Sequence, residues 1–161
     1  MIPQSVINLL KLREGWRTVV YRDTNGLPTA GMGHLMSKYD LSKYPVGSPV
    51  PNNVLLAWMS VDVRHAWTAA QAQAASLGIT DERFVTALTS VCYQEGVRWT
   101  HRFPKTWAAM QRHDWVTAIA ESKHSLWNQQ TPVRVADFDA AMQAEIPSAQ
   151  PAVSQTQSAS S

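Results

Sequence analysis

The sequence has 161 residues but a single cysteine, Cys92, which excludes an internal disulfide framework. It has no long hydrophobic run either, because the longest one, residues 54–59, falls far short of a membrane span. The opening residues lack the basic segment and apolar stretch of a secretory signal peptide. We therefore expect a chain without signal peptide or membrane insertion, made soluble in a cytoplasm.

The chain also carries little net charge. The chain has 14 lysines and arginines against 12 aspartates and glutamates, a net charge of +2. This is too little for a dedicated nucleic-acid binder, although a weakly basic surface suits a partner with net negative charge. The five histidines have no ligand-like spacing to a third metal-binding group, so we expect no metal and no cofactor.

The chain does contain enough apolar residues, 45%, for one domain or for two small lobes that share a core. Phe84, Leu88 and Val91 recur at helical spacing and place Cys92 on the same helix face. A buried structural thiol is therefore expected there, and not a nucleophile. Most of the seven tryptophans are expected in the core as well.

The first thirty residues predict a helix followed by a hairpin. Apolar residues at helical spacing run to Glu14, and Gly15 is a helix stop signal. The β-branched and aromatic residues 18–22 predict a strand, and Asn25-Gly26 is a strong signal for a tight turn. Residues 27–30 would then return as the second strand.

This arrangement places two acids and a hydroxyl close to one cleft. Glu14 would lie at a helix end, while Asp23 and Thr29 would flank the hairpin. Two carboxylates that face each other across a sugar bond, one protonated and one ionised, can hydrolyse a glycoside. Spacing alone also fits a solvated glutamate at a helix end and a solvated aspartate in a turn.

The segment 37–51 is rich in Ser, Gly, Pro and Tyr and predicts a loop with one short edge strand. Asn52 or Asn53 would cap the long helix that follows, which runs to Gly78. One face of that helix would hold Val54, Trp58, Val61, His65, Thr68 and Ala72.

The rest of the chain predicts helices and a tail. Start and stop signals in the sequence predict helices at 80–95, 103–110, 115–125 and 131–143. Asp114 would cap the third of these helices. Thr131 would cap the fourth, with Pro132 at its first helical position. Residues 147–161 have no charge and predict a disordered tail. The fold class is α+β: a small antiparallel sheet lobe (about 15–53), a connecting helix (about 53–76) and a helical lobe (about 80–146) that includes the N-terminal helix.

The spacing of Glu14, Asp23 and Thr29, followed by Gly31-Met-Gly-His34-Leu35, resembles the catalytic signature of the T-even phage lysozymes, glycoside hydrolase family 24. The similarity continues through the second half of the chain in three blocks. These are Tyr93-Gln94-x-Gly96, residues 103–110 with Thr106, and Trp127-Asn-Gln-Gln-Thr131-Pro132-Val-Arg134. The resemblance covers nearly all of residues 5–143 and implies a lysozyme-like fold.

The resemblance also implies roles for individual residues. Glu14 would be the general acid, and Asp23 with Thr29 would hold the attacking water. His34 would pair with Asp62, and Arg134 with Glu14. The residues implied to contact substrate are Leu35, Tyr93, Gln94, Thr106 and Glu121. Two of them depart from the family pattern. Tyr93 occupies the position where the family has phenylalanine, and Glu121 occupies that of a substrate-contacting asparagine, which exchanges an amide for an anion.

The implied activity is that of an inverting lysozyme, which hydrolyses the β-1,4 bond between N-acetylmuramic acid and N-acetylglucosamine in bacterial peptidoglycan. A monomer is expected, held in the host cytoplasm until a separate holin-type protein gives it access to the wall in the periplasm. Alternatives are a lytic transglycosylase on the same fold, a virion-associated muramidase, and a binder without catalysis. The binder would use Trp99, Arg98, His101, Arg102 and Lys105.

Overall fold

The computed structural model describes residues 1–147, so the tail predicted beyond Pro147 lies outside the described residues. The predicted α+β class is confirmed: a small antiparallel sheet is followed by helices. The helices are α1 (Gln4–Glu14), α2 (Lys38–Lys43), α3 (Asn52–Ser76), α4 (Glu82–Glu95), α5 (Trp99–Arg102), α6 (Pro104–Gln111), α7 (Trp115–His124), α8 (Leu126–Gln130) and α9 (Pro132–Glu145). Within residues 1–147, no helix combines the length and apolar character needed to cross a membrane.

The sheet consists, in the described part of the chain, of three short strands in the order β1-β2-β3. They are β1 (Arg17–Arg22), β2 (Pro28–Gly31) and β3 (His34–Leu35), and both pairings are antiparallel. The predicted hairpin is therefore present. In the second pairing Thr29 lies opposite Leu35, so the hairpin and the glycine-rich turn after β2 share one small surface.

The segment 37–51 is not the predicted loop, because it contains α2. Ser37 Oγ accepts a hydrogen bond from the Asp40 backbone N–H at 3.0 Å, and Asp40 Oδ2 accepts one from the Ser37 N–H at 2.9 Å. This reciprocal capping box stabilises the start of a helix of only six residues. The predicted edge strand is reduced to an isolated bridge between Val19 and Pro49.

The long helix α3 spans 25 residues and connects the sheet lobe to the helical lobe. Neither Asn52 nor Asn53 caps it, because the helix begins at Asn52 directly after Pro51. The predicted apolar face is also wrong: Val61 is 68% exposed. The buried face instead carries Leu55, Val63, Ala66, Ala70 and Ala74. Alanines let α4 approach closely, and their low hydrophobicity hides this face from a pattern based on large apolar residues.

The caps predicted for the later helices are confirmed in part. Asp114 caps α7 as predicted, since its Oδ1 accepts from the Thr117 N–H at 3.2 Å. Thr131 does not cap α9 with its side chain, because its hydroxyl donates to the Trp127 carbonyl at 3.3 Å. Pro132 does occupy the first turn of α9. The short helices α5 and α8 were not predicted.

The core of the helical lobe is aromatic. Trp99, Trp127 and Phe138 are fully buried and contact one another, with ring centroids 5.7–6.4 Å apart. Cys92 is buried in the same cluster, and burial raises the pKa of its thiol to about 12. This confirms the structural thiol that the helical spacing predicted.

Candidate active site

Glu14 is the last residue of α1 and points back into the protein toward α9. Its Oε1 accepts a hydrogen bond from Nη2 of Arg134, which is buried. Arg134 Nη1 lies 3.2 Å from both the carbonyl and the hydroxyl oxygen of Ser90 on α4. The cation is thus fixed between two helices, and it fixes one oxygen of Glu14 in turn.

The pKa of Glu14 lies above its ordinary value. Burial of the carboxyl raises it, and the charge and hydrogen bond of Arg134 oppose that shift without cancelling it. Two requirements on Glu14 oppose each other. The neighbouring cation favours the ionised carboxylate, whereas a proton donor must keep its proton. Desolvation is the larger effect here, so the site shifts Glu14 toward its protonated form, the direction that a general acid needs.

Gly33, in the turn between β2 and β3, forms the wall in front of Glu14. Its φ is +73°, and a Cβ added there would lie only 2.9 Å from Glu14 Oε2. Both the positive φ and the close approach require glycine. The second oxygen of the acid therefore lies directly against a turn that lines the main cleft.

Asp23 and Thr29 are brought together through Leu27 in the hairpin turn. Asp23 Oδ1 accepts hydrogen bonds from the backbone N–H groups of Asn25 and Leu27, both at 2.9 Å. The hydroxyl of Thr29, which is buried, donates to the Leu27 carbonyl at 2.9 Å. The backbone of Leu27 thus orients both side chains, and the turn fixes the position of the Asp23 carboxylate.

His34 joins the sheet lobe to α3. Its Nδ1 lies 2.7 Å from Asp62 Oδ2 and its Nε2 lies 3.3 Å from Asp40 Oδ2, and the ring stacks on Trp58 at 4.3 Å. Burial lowers the pKa of the imidazole, but the hydrogen bonds and charges of Asp62 and Asp40 together outweigh it and raise the pKa. Because carboxylates only accept, a charged imidazolium satisfies both contacts.

Replacing Asp62 by asparagine should destabilise the protein in a pH-dependent way. The pKa of folded His34 is raised, so its ion pair contributes fully below the ordinary pKa of histidine and is lost as pH rises through the folded value. The free energy of unfolding should fall by about 1–2 kcal/mol at mildly acidic pH, and by less where His34 is neutral in both states. Thermal melts across pH measure this, with Asp81→Asn as a solvent-exposed control. Equal losses at every pH, or none, would contradict the pairing.

The cleft beside Gly33, called the main cleft here, has a volume of about 830 Å³ and runs from the glycine-rich turn to α5. His34, Leu35, Asp62 and Tyr93 line it. The Tyr93 hydroxyl donates to the Met32 carbonyl, which ties α4 to the turn that carries Gly33. Leu35 is exposed, as a residue that contacts a ligand should be.

Two other predicted contact residues, Thr106 and Glu121, lie in a separate depression of about 270 Å³. Thr106 is only 2% exposed there, so its hydroxyl has little free surface. Gln94 lies half-buried at the end of α4, and within residues 1–147 its Oε1 is buried without a hydrogen-bond partner. The main cleft thus holds Leu35 and Tyr93 and the smaller depression holds Thr106 and Glu121, whereas Gln94 lines neither.

Some features of the site had no assignment from the sequence. These are Asp40 as second partner of His34, only six positions away, and two contacts between more distant residues: Ser90 with Arg134, and Gly33 with Glu14. The ion pair of Glu95 and Arg102 also lines the main cleft. Among these features, only the approach of Gly33 to Glu14 had a local signal in the sequence, because glycine is common where other atoms come close to the backbone.

Comparison with known proteins gives a consistent result. The family model described as "Phage lysozyme" matches residues 11–144. The chain is 25% identical to "Probable T4-type lysozyme 2" of Dictyostelium discoideum, over 81% of this chain and 88% of that protein. It is 28% identical to "Pre-baseplate central spike protein Gp5" of Enterobacteria phage T4, over 81% of this chain but only 26% of the spike protein.

A further relative is "Peptidoglycan hydrolase gp36" of Pseudomonas phage phiKMV, 26% identical over 86% of this chain and 15% of that protein. The chain therefore spans a small part of its two phage relatives and most of the Dictyostelium one. The matched residues include the helix end with Glu14, the hairpin and the helices that hold Arg134 and Tyr93. On the family match and the fold together, the chain belongs to the phage lysozyme family.

Proposed function

We propose that this protein is a muramidase that hydrolyses the β-1,4 bond between N-acetylmuramic acid and N-acetylglucosamine in bacterial peptidoglycan. The observation that carries the proposal is the state of Glu14: a desolvated carboxyl of raised pKa, held by Arg134 and facing Gly33 at the cleft wall. Membership of the phage lysozyme family supports the same reaction. The names of the T4-type lysozyme and the peptidoglycan hydrolase among its relatives support the substrate.

In this proposal Glu14 delivers its proton to the glycosidic oxygen as the bond breaks. Oε1 accepts a hydrogen bond from Arg134, so the proton belongs on Oε2. Oε2 is also the atom that faces Gly33 at the edge of the main cleft. The leaving oxygen would therefore approach along the glycine-rich turn, where the absence of a side chain leaves it room.

Asp23 is proposed as the base that activates water, with the Thr29 hydroxyl as a second ligand of that water. The contacts with the Leu27 peptide hold both groups in one orientation, which favours reaction in a fixed geometry. Attack by water on the face opposite the leaving group inverts the anomeric carbon. The mechanism is thus proposed to be inverting, with Asp23 never bonded to the sugar.

The experiment that tests this mechanism follows the first-formed product by proton NMR during digestion of soluble glycan strands. We expect the α-anomer to appear first from the β-linked chain and then to mutarotate. Failure to release any shorter glycan would contradict the muramidase proposal itself. A β-anomer as first product would leave cleavage in place but make Asp23 the nucleophile of a retaining enzyme.

The biological setting proposed for this activity is lysis of the host bacterium from within, with a separate holin-type protein that gives access to the periplasmic wall. Similarity to a phage central spike protein supports a second setting, in which the enzyme travels on the virion and opens the wall at infection. Immunoblotting of purified phage particles separates the two. Detection of the protein in the particles would support action from the virion at infection. Detection only in infected cells would support lysis from within.

A further inference from the structure

The main cleft and the smaller depression meet at one residue, Arg102. It lines the cleft of about 830 Å³ together with Tyr93 and Glu95, and it lines the depression of about 270 Å³ together with Thr106 and Glu121. Its position follows from the short helix α5, which ends at Arg102 before α6 begins at Pro104. Arg102 is the residue that the two linings share, so a ligand that extends from one cavity into the other would pass beside it.

Glu95 holds the guanidinium in place. Arg102 Nη1 lies 2.9 Å from Glu95 Oε2 and 3.3 Å from the Glu95 carbonyl oxygen. The Glu95 side chain is only 7% exposed, whereas that of Arg102 is 58% exposed. Burial raises the pKa of the Glu95 carboxyl and the charge of Arg102 opposes this. The acid is therefore largely shielded beside its cation, while more than half of the Arg102 side chain stays accessible.

Further basic residues line the two cavities around Arg102. Arg98 and His101 lie on the same side of the main cleft, and Lys105 and His124 line the smaller depression. Glu121 is the acid of that depression. Glu95 is paired with Arg102, and Asp62 of the main cleft is paired with His34. Arg98 and Lys105 therefore outnumber Glu121, and the junction of the two cavities should attract an anion.

We propose that Arg102, oriented by Glu95, binds a carboxylate of the wall's stem peptide and so makes the enzyme select acidic wall peptides. The proposal rests on the muramidase function proposed above, because that substrate carries a peptide with free carboxylates on each muramic acid. A planar guanidinium with fixed orientation suits a carboxylate better than a flexible ammonium does. Arg102 is thus a specificity residue, and Glu95 is its positioning residue.

The test compares three substrates: native sacculi, sacculi whose carboxylates have been converted to amides, and glycan strands stripped of peptide by an amidase. Arg102→Ala should raise KM on native sacculi about tenfold with kcat nearly unchanged, a size typical of one charged hydrogen bond on a partly exposed surface. On the other two substrates it should match the wild type. Arg102→Lys should recover only part of the loss. Arg83→Ala removes an exposed arginine that lines neither cavity, and it should change little.

Two more variants test the positioning. Glu95→Ala should raise KM on native sacculi less than Arg102→Ala does, and the double variant should be no worse than Arg102→Ala alone. Glu121→Gln removes the competing anion and should lower KM about twofold. Equal effects of Arg102→Ala on native and amidated sacculi would overturn the proposal, and so would an effect that persists on stripped strands. A wild-type enzyme that cleaves none of the three would instead refute the muramidase function.

Discussion

Replacement of Glu14 by glutamine should reduce the rate of wall hydrolysis by about a hundredfold to ten-thousandfold, the usual contribution of one positioned proton donor. The amide keeps an oxygen that can accept from Arg134, but it has no proton to deliver to the glycosidic oxygen. The fold should remain intact. Because the pKa of Glu14 is raised in the folded protein, its ionised form is disfavoured there, so the neutral amide should not lower the melting temperature at neutral pH.

The loss of turbidity of chloroform-treated cells measures the rate, and thermal unfolding measures the stability. Glu145→Gln is a matched control, because Glu145 ends α9 and is the same acid-to-amide change away from the cleft. Its activity should equal that of the wild type. A Glu14→Gln protein that clears cells at the wild-type rate would remove Glu14 from the mechanism.

Replacement of Gly33 by alanine should reduce activity about tenfold to a hundredfold. The new methyl group would lie 2.9 Å from Glu14 Oε2, so the acid must shift, and small misplacements of a catalytic group are costly. Alanine at a φ of +73° should also cost about 1–2 kcal/mol of stability.

Gly47→Ala separates these two effects. Gly47 has a φ of +91°, but a Cβ there meets nothing within 4 Å. This variant should be destabilised to a similar degree and should keep its activity when assayed well below its melting temperature. If the two variants lose activity equally, strain alone explains Gly33, and its contact with Glu14 has no catalytic consequence.

The helix end at Glu14 and the hairpin with Asp23 and Thr29 could be predicted, because short-range chemistry decides these local elements. Gly15 ends α1 directly after Glu14, and Gly26 takes the positive φ that a tight turn requires. The same reasoning failed for α3, whose buried face is set by the packing of alanines against α4. It also missed α2, although the capping residues Ser37 and Asp40 are three positions apart in the sequence.

The site was less accessible to sequence reasoning than the fold. The contacts of Glu14 with Arg134 and of His34 with Asp62 span 120 and 28 positions, and only resemblance to a family suggested them. The outcome of the conflict at Glu14 depends on how far the carboxyl is desolvated, which no spacing reveals. The junction of the two cavities at Arg102 likewise exists only once α5 and α6 are packed.

The central claim, that this protein uses water to cleave a glycosidic bond of peptidoglycan, is tested most directly by digestion of purified sacculi in ¹⁸O-labelled water. The released fragments are reduced at once, so that the label cannot exchange, and their masses are measured. Hydrolysis should place one heavy oxygen at the reducing end of each new N-acetylmuramic acid. Unlabelled fragments that end in an anhydro sugar would show a transglycosylase, and label in a peptide carboxyl would show cleavage of a different bond. Either result would contradict the account.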